Sequence, residues 1–382
     1  MKMVAFLLSH LKRVDLVLVG TIVFLCLFGL LMVYSASYPL GEVKYEKGSY
    51  FFIKQWQWLL IGGFFFFIAA LFPYQIYRKW MKWLVMLSLL CLILVLIPGI
   101  GVVKNNSQRW IQLGSLMLQP SEAVKLVMVI YFAYVYANKQ AYITSFKKGV
   151  LPPLILLSLV FLLILKQPDL GTAVSILLSC GIILLCAGLK TRHLILLGST
   201  AVACITFFAV TAPYRLKRLT SFRDPFQYED GDGYQPAGIH SYLAMNSGGL
   251  IGNGLGGSIQ KLGFLPEAHT DFIMAIISEE LGIMGILIVI GAYLFIMYRA
   301  MRIVQALHDP FGKLLTIGLT FQIMLQAVFN LGAVFGLLPI TGIPLPFISY
   351  GGSSLVFMMI SAGILVNLSS YVKRNPYRAH AK

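Results

Sequence analysis

Long apolar runs, each near the length of a membrane-crossing helix, recur along this chain with short polar connectors between them. A helix needs about 20 apolar residues to cross the hydrocarbon core, and there its backbone groups must bond internally. Ten spans follow from the runs, at about 14–34, 54–72, 80–99, 119–137, 150–167, 170–188, 193–212, 271–297, 313–338 and 350–371. The predicted fold is an all-α polytopic membrane protein. It forms a single integral membrane domain over 1–382, with one large extracytoplasmic loop, 213–270, between spans 7 and 8. Composition agrees: 58% of residues are hydrophobic and 12% charged, against roughly 25% charged in a soluble domain. The first apolar run has no small-residue cleavage site and is long enough to remain as an anchor.

Charge sets the expected orientation. The net charge of +16 invites a nucleic-acid reading, but the basic residues sit beside span ends, so nucleic acid is not expected as a partner. Eighteen of the 30 Lys and Arg fall in the terminal segments and in the connectors after spans 2, 4, 6 and 8, which places both termini in the cytoplasm. The acidic residues gather on the other side and in the outer half of the spans. The five cysteines all lie within apolar runs without metal or redox spacing.

Chemistry therefore concentrates at the outer face. Leu265-Pro266-Glu267-Ala268-His269-Thr270-Asp271 leads directly into an apolar span. Thr270 or Asp271 suits a helix cap there, and Asp271, two residues from His269 at a membrane boundary, also suits a general base. Glu279 and Glu280 lie roughly 12 to 14 Å deeper on the same helix. Carboxylates at that depth must pair or face a polar cavity. Glu122 and Lys125 share a helix face at i, i+3, after Gln119-Pro120-Ser121. Arg109-Trp110 in a short outer loop fits phosphate contact or interfacial anchoring. Asp169 opens the sixth span as a cap or a site residue.

Two backbone-rich stretches remain. Gly248 to Gly257 contains a formal G-x-G-x-x-G match, but no strand precedes it, so a dinucleotide site is rejected. Its glycines suit close backbone turns, or approach to a phosphate, in a re-entrant or interfacial segment. Leu338 to Phe347 is a proline-rich break between two spans, ending in the hydroxyls and bare backbone of Ser349-Tyr350-Gly351-Gly352-Ser353-Ser354. A tight turn and a ligand-facing wall both fit.

Taken in order, these segments resemble the SEDS family (shape, elongation, division and sporulation proteins) over nearly the whole chain. The resemblance rests on Arg109-Trp110, Gln119-Pro120-Ser121-Glu122, Gln167-Pro168-Asp169-Leu170-Gly171-Thr172-Ala173 and Gly233-Tyr234-Gln235. It continues through Ser247-Gly248-Gly249-Leu250, Leu265 to Phe272, Glu279-Glu280-Leu281-Gly282 and Leu345 to Ser354. The wording of Pro266 to His269 and Pro344 to Tyr350 is closer to the FtsW and SpoVE branch than to RodA. The resemblance implies a peptidoglycan glycosyltransferase of the bacterial cytoplasmic membrane, polymerising lipid II on the outer face at the division septum. It implies Asp271 as the catalytic base, with Arg109, Glu122, Lys125 and Asp169 as supporting residues of a polar cavity. Lys261, His269, Glu279 and Ser353 complete the expected set of substrate-binding or supporting residues. The leaving diphosphate needs positive charge, from Arg109, Lys125, Arg215, Arg218, Arg223 or Lys261, or from a divalent cation such as magnesium or manganese. The metal ligands are not assigned, and no other cofactor is called for. The implied partners are lipid II, a class B penicillin-binding protein (transpeptidase), other divisome membrane proteins and membrane lipids. A lipid II flippase and a non-catalytic division scaffold are the alternatives. The crowding of polar residues in the outer half favours an enzyme over a carrier.

Overall fold

The structure, a computed structural model, describes residues 13–104, 107–114, 116–140, 143, 145–211, 222 and 234–372. Ten helices match the ten expected spans: α1 Leu16–Tyr45, α2 Tyr50–Leu71, α3 Gln75–Leu96, α4 Pro120–Asn138, α5 Leu151–Leu165, α6 Leu170–Cys186, α7 Thr191–Thr211, α9 Ile273–Ala306, α10 Pro310–Val334 and α11 Gly352–Val372. An additional helix, α8 Tyr234–Gly248, lies within the stretch expected to be one large loop. Eight of the ten are long and apolar enough to cross a membrane, α5 together with the π-helical turn Phe146–Val150 before it. The others are α4, whose first turns carry Glu122 and Lys125, and α6, which is short.

The all-α membrane fold holds, with one small addition. Between α3 and α4 the chain forms an antiparallel three-stranded sheet, β1 Gly101–Lys104, β2 Ser107–Leu113 and β3 Leu116–Leu118, in the order β1-β2-β3. The strands are short, from three to seven residues, and the apolar residues of the connector do not alternate strictly enough to signal them. Pairing closes its backbone groups and carries Arg109 on the central strand.

Several helix starts follow simple chemistry. Asp15 caps α1, accepting from the Val17 and Leu18 N–H groups at 3.2 Å. Asp309 caps α10 ahead of Pro310 and accepts from Gly312 N–H at 3.1 Å. Proline lacks a donor that the first helical turn would leave unused. These caps also bind the bundle at one end. Arg299 of α9 donates through Nε to Asp15 Oδ2 at 2.7 Å, and Tyr74 donates its hydroxyl to Asp309 Oδ2 at 2.8 Å. Burial, then Asp309, raises the Tyr74 pKa and keeps the phenol protonated.

α10 and α11 form the centre: α10 packs on α4, α6 and α9, and α11 packs along α2. α7 lies against α6 and has no fully buried residue. The proline-rich break between α10 and α11 enters this centre. Gly29 of α1 admits it, because a side chain there would meet the Ile348 Cα at 2.5 Å.

Candidate active site

The site lies at the end of the bundle that carries the sheet, where two irregular segments meet. One is the turn 265–272 before α9, and the other is the break 339–351 before α11. Three successive carbonyls of the first segment are held by groups from elsewhere. Tyr350 N–H donates to His269 O at 3.0 Å, Ser349 Oγ to Thr270 O at 2.6 Å, and Asn330 Nδ2 to Asp271 O at 2.8 Å. The backbone bearing Asp271 is thus clamped on both α10 and the break. Glu267 and Phe347 have positive φ, 51° and 66°, one in each segment. Non-glycine residues in that region persist only where surrounding contacts enforce them.

Asp271 is not the helix cap. The N-cap of α9 is Phe272, with no side-chain capping bond, and Thr270 Oγ1 bonds to Glu267 instead. Asp271 is half-buried. Its Oδ2 faces Gly342, where an added Cβ would stand 3.7 Å away. The preceding residue, Thr341, touches the start of α6: a Cβ on Gly171 would meet the Thr341 carbonyl at 3.0 Å. Residues 341 and 342 therefore join Asp271 to the Asp169 corner.

At that corner Asp169 caps α6 through Thr172 N–H at 3.2 Å and accepts from Gln119 Nε2 at 3.1 Å. Arg109 lies 3.8 Å from it, donates through Nε to Gln167 O at 2.9 Å, and donates to Pro168 O. Its side chain keeps 25% exposure. The cap reading of Asp169 holds, and the same side chain also takes part in the corner with Arg109 and Gln119. Ser353 Oγ accepts from Gln119 N–H at 3.2 Å, tying the start of α11 to the same corner.

One turn deeper is the expected Glu122–Lys125 pair. Lys125 Nζ lies 2.8 Å from Glu122 Oε1, with both residues 3% exposed. Lys125 also donates to Gln326 Oε1 at 3.0 Å, and Gln326 Nε2 donates to Pro344 O at 3.0 Å. The pair therefore supports the proline-rich break. Three more of its carbonyls are satisfied in the same way: Asn330 Nδ2 donates to Ile343 O at 2.9 Å, Tyr293 to Pro346 O at 2.5 Å, and Gln55 Nε2 to Ser349 O at 3.1 Å. Irregular backbone is tolerated at membrane depth only with such partners. Gln55, Tyr293, Gln326 and Asn330 were not singled out in the sequence. Their signal was a polar group inside an apolar run.

His269 is buried against Phe51, ring centroids 4.5 Å apart, and near Tyr350 at 5.5 Å. Glu279, Glu280 and Lys261 form a separate layer. Lys261 Nζ lies 2.7 Å from Glu280 Oε1 and donates to Ser35 Oγ at 3.0 Å. Glu279 accepts from Ser258 Oγ and from Ile259 N–H, the latter at 3.0 Å. Lys261 stands as a supporting residue of this layer: a buried ammonium requires a counter-ion, and Glu280 is that partner. Arg215, Arg218 and Arg223 lie outside the described residues.

The glycine-rich segment packs against α9 where that helix breaks at Gly282, with φ 64° and ψ −157°. The break frees the carbonyls of Glu279 and Glu280, which accept from Asn253 and Gly254 N–H at 3.0 Å each. A Cβ on Gly252 would meet the Glu280 carbonyl at 2.2 Å. Close backbone approach is what these glycines permit. Among the described residues no group of three or more His, Cys, Asp or Glu stands together as a metal site. The described residues offer no protein-made cage for a divalent cation.

Ten crossings, an irregular connector buried among them and a clamped carboxylate at its rim define an integral membrane protein built around a polar site. The chain belongs to the family of cell cycle proteins that includes FtsW, RodA and SpoVE, which matches residues 16–374. The probable peptidoglycan glycosyltransferase FtsW of Bacillus subtilis (strain 168) is 44% identical over 373 residues, 95% of this chain and 92% of that protein. Stage V sporulation protein E of the same organism is 40% identical over 357 residues, 94% and 97% of the two chains. A solved structure describing coordination of polymerization and crosslinking by a peptidoglycan synthase complex superposes with a TM-score of 0.76 at 25% identity, covering 95% of this chain and 99% of that one. The rod shape determining protein RodA of Thermus thermophilus shares the fold, with a TM-score of 0.66 at 24% identity over 93% and 96% of the two chains.

Proposed function

We propose that this chain is a peptidoglycan glycosyltransferase that polymerises lipid II, with Asp271 as general base. The observation carrying the catalytic reading is the clamp on His269, Thr270 and Asp271, which fixes one half-buried carboxylate beside bare Gly342. The carboxylate takes the proton from the acceptor sugar's 4-hydroxyl as that oxygen attacks the donor's anomeric carbon. The new glycosidic bond forms, the bond to the diphosphate breaks, and undecaprenyl diphosphate leaves with the electron pair. A positioned base of this kind contributes about a hundred- to ten-thousand-fold. Positive potential for the leaving group comes from Arg109, which among the described candidate cations keeps solvent access. Lys125 is spent on Glu122 and Gln326, and it acts by supporting the break.

The orientation supporting this chemistry has both termini in the cytoplasm and the sheet outside, as the distribution of Lys and Arg favours. The partner is a class B penicillin-binding protein, within the divisome at the septum. The likeness to a peptidoglycan synthase complex and to relatives named FtsW supports that pairing. A divalent cation, if it takes part, draws its ligands mainly from the diphosphate and water.

The test uses purified chain with its candidate synthase, the transpeptidase inactivated, and lipid II supplied. Wild type should yield glycan polymer, and Asp271→Asn should lose at least about a hundredfold in rate at equal folding. Normal polymer from Asp271→Asn would sink the base assignment. Polymer from neither, with lipid II crossing liposomes, would favour a flippase.

A further inference from the structure

The segment after α8 turns apolar side chains outward. Leu250, Ile251, Leu255, Ile259, Leu262 and Phe264 are all exposed, Leu250 at 71% and Ile251 at 86%. Single exposed leucines are ordinary on a soluble surface. A cluster of this size in a stretch with no charged residue from Ser241 to Gln260 is not the composition of a solvated loop.

Helix α9 supplies the height of this cluster. Beyond Glu280 its next charged residue is Arg299, and the charge-free run 281–298 rises about 27 Å at 1.5 Å per residue. That nearly matches the hydrocarbon core of about 30 Å, so one edge of the core falls beside Glu280 and Gly282. The glycine-rich tip is bonded at that level. Ile283 N–H donates to Gly249 O at 3.1 Å, while Asn253 and Gly254 N–H donate to Glu279 and Glu280 O. Gly252 N–H closes on Gly248 O at 2.8 Å. Internal closure of backbone groups is the condition for contact with hydrocarbon. Asn246, Ser247 and Asn253 are also exposed on the tip, which suits a headgroup layer beside the acyl chains.

We propose that residues 243–264 form an interfacial wedge seated in the bilayer, with Leu250, Ile251 and Leu255 among acyl chains and Asn253 among headgroups. The occupant of this face is lipid. Behind the wedge, Lys261 is locked on Glu280, and Leu265 leads directly into the turn carrying Asp271. The wedge therefore sets the height of that turn above the membrane.

The test is a collision measurement on the full chain in lipid nanodiscs. Cys91, Cys186 and Cys204 are replaced by Ser, while buried Cys26 and Cys180 are kept. A nitroxide is then placed through Leu250→Cys, Ile251→Cys or Leu255→Cys, and through Gln112→Cys, an exposed position of β2, as the water-side reference. Monodispersity of each labelled protein and absence of label without an added cysteine are the controls. Oxygen, which concentrates in acyl chains, should collide more than a water-soluble nickel chelate at 250, 251 and 255, with the order reversed at 112. Three sites matching 112 would overturn the wedge. Low access to both reagents, the mark of a protein partner or a second copy on this face, would overturn it as well.

Discussion

Asn330 holds Asp271 by its backbone: one amide nitrogen donates to Asp271 O at 2.8 Å and to Ile343 O at 2.9 Å. Both hydrogens of that nitrogen are used, and each fixes a different wall of the site. Asn330→Asp keeps the shape and removes both donors. Misplacing a reacting group by about an ångström costs on the order of a hundredfold. Lipid II polymerisation by Asn330→Asp should therefore fall between about ten- and a hundredfold in membrane-reconstituted protein. An unchanged rate would mean that the clamp does not position the base.

Asp271→Glu separates charge from position. The longer side chain keeps a base but displaces it beside Gly342. Its polymerisation rate should lie between wild type and Asp271→Asn, since placement and proton acceptance are separate requirements. A glutamate variant no better than asparagine would show that a base displaced from this position contributes nothing to the rate.

Lys125→Met leaves Glu122 as an unpaired buried carboxylate, which typically costs about 3–5 kcal/mol. Glu122→Gln with Lys125→Met removes both charges, so thermal unfolding in detergent should recover most of the loss. Additive losses from the two substitutions would argue that the residues act apart.

Gly252→Ala and Gly254→Ala form a matched pair. Both glycines have φ of 85°, so each alanine carries about 1–2 kcal/mol of left-handed strain. Only Gly252 also places its Cβ against a backbone carbonyl, Glu280 O at 2.2 Å, whereas Gly254 meets nothing within 4 Å. Gly252→Ala should lower the unfolding temperature and the yield of monodisperse protein well below Gly254→Ala. Equal behaviour would exclude the close packing of the tip on α9.

Much of the site was legible in the chain. Asp169, Glu122 and Lys125 could be read because charges bordering apolar runs are costly and must be explained. The Glu122–Lys125 pair follows from helical spacing alone, and the structure places the two 2.8 Å apart. The partner of Lys261 could not be read, because Glu280 is 19 residues away and meets it only through the return of the glycine-rich segment. The sheet around Arg109 was missed because strands of three to seven residues carry too few positions for a period-two pattern to stand out.

The sequence by itself determined the ten crossings and the polar residues that burial would force into partnerships. Both follow from local rules, hydrocarbon thickness and the cost of a buried charge. Only the tertiary structure decided which groups meet. Asn330, Gln326, Tyr293 and Gln55 satisfy the carbonyls of the proline-rich break because that segment enters the bundle between their helices. Asp271 lies one residue before the N-cap of α9, and the backbone around it is held by contacts from α10 and from the break before α11, distant in sequence. Such pairings arise from packing whole helices together, and no periodicity along the chain encodes them.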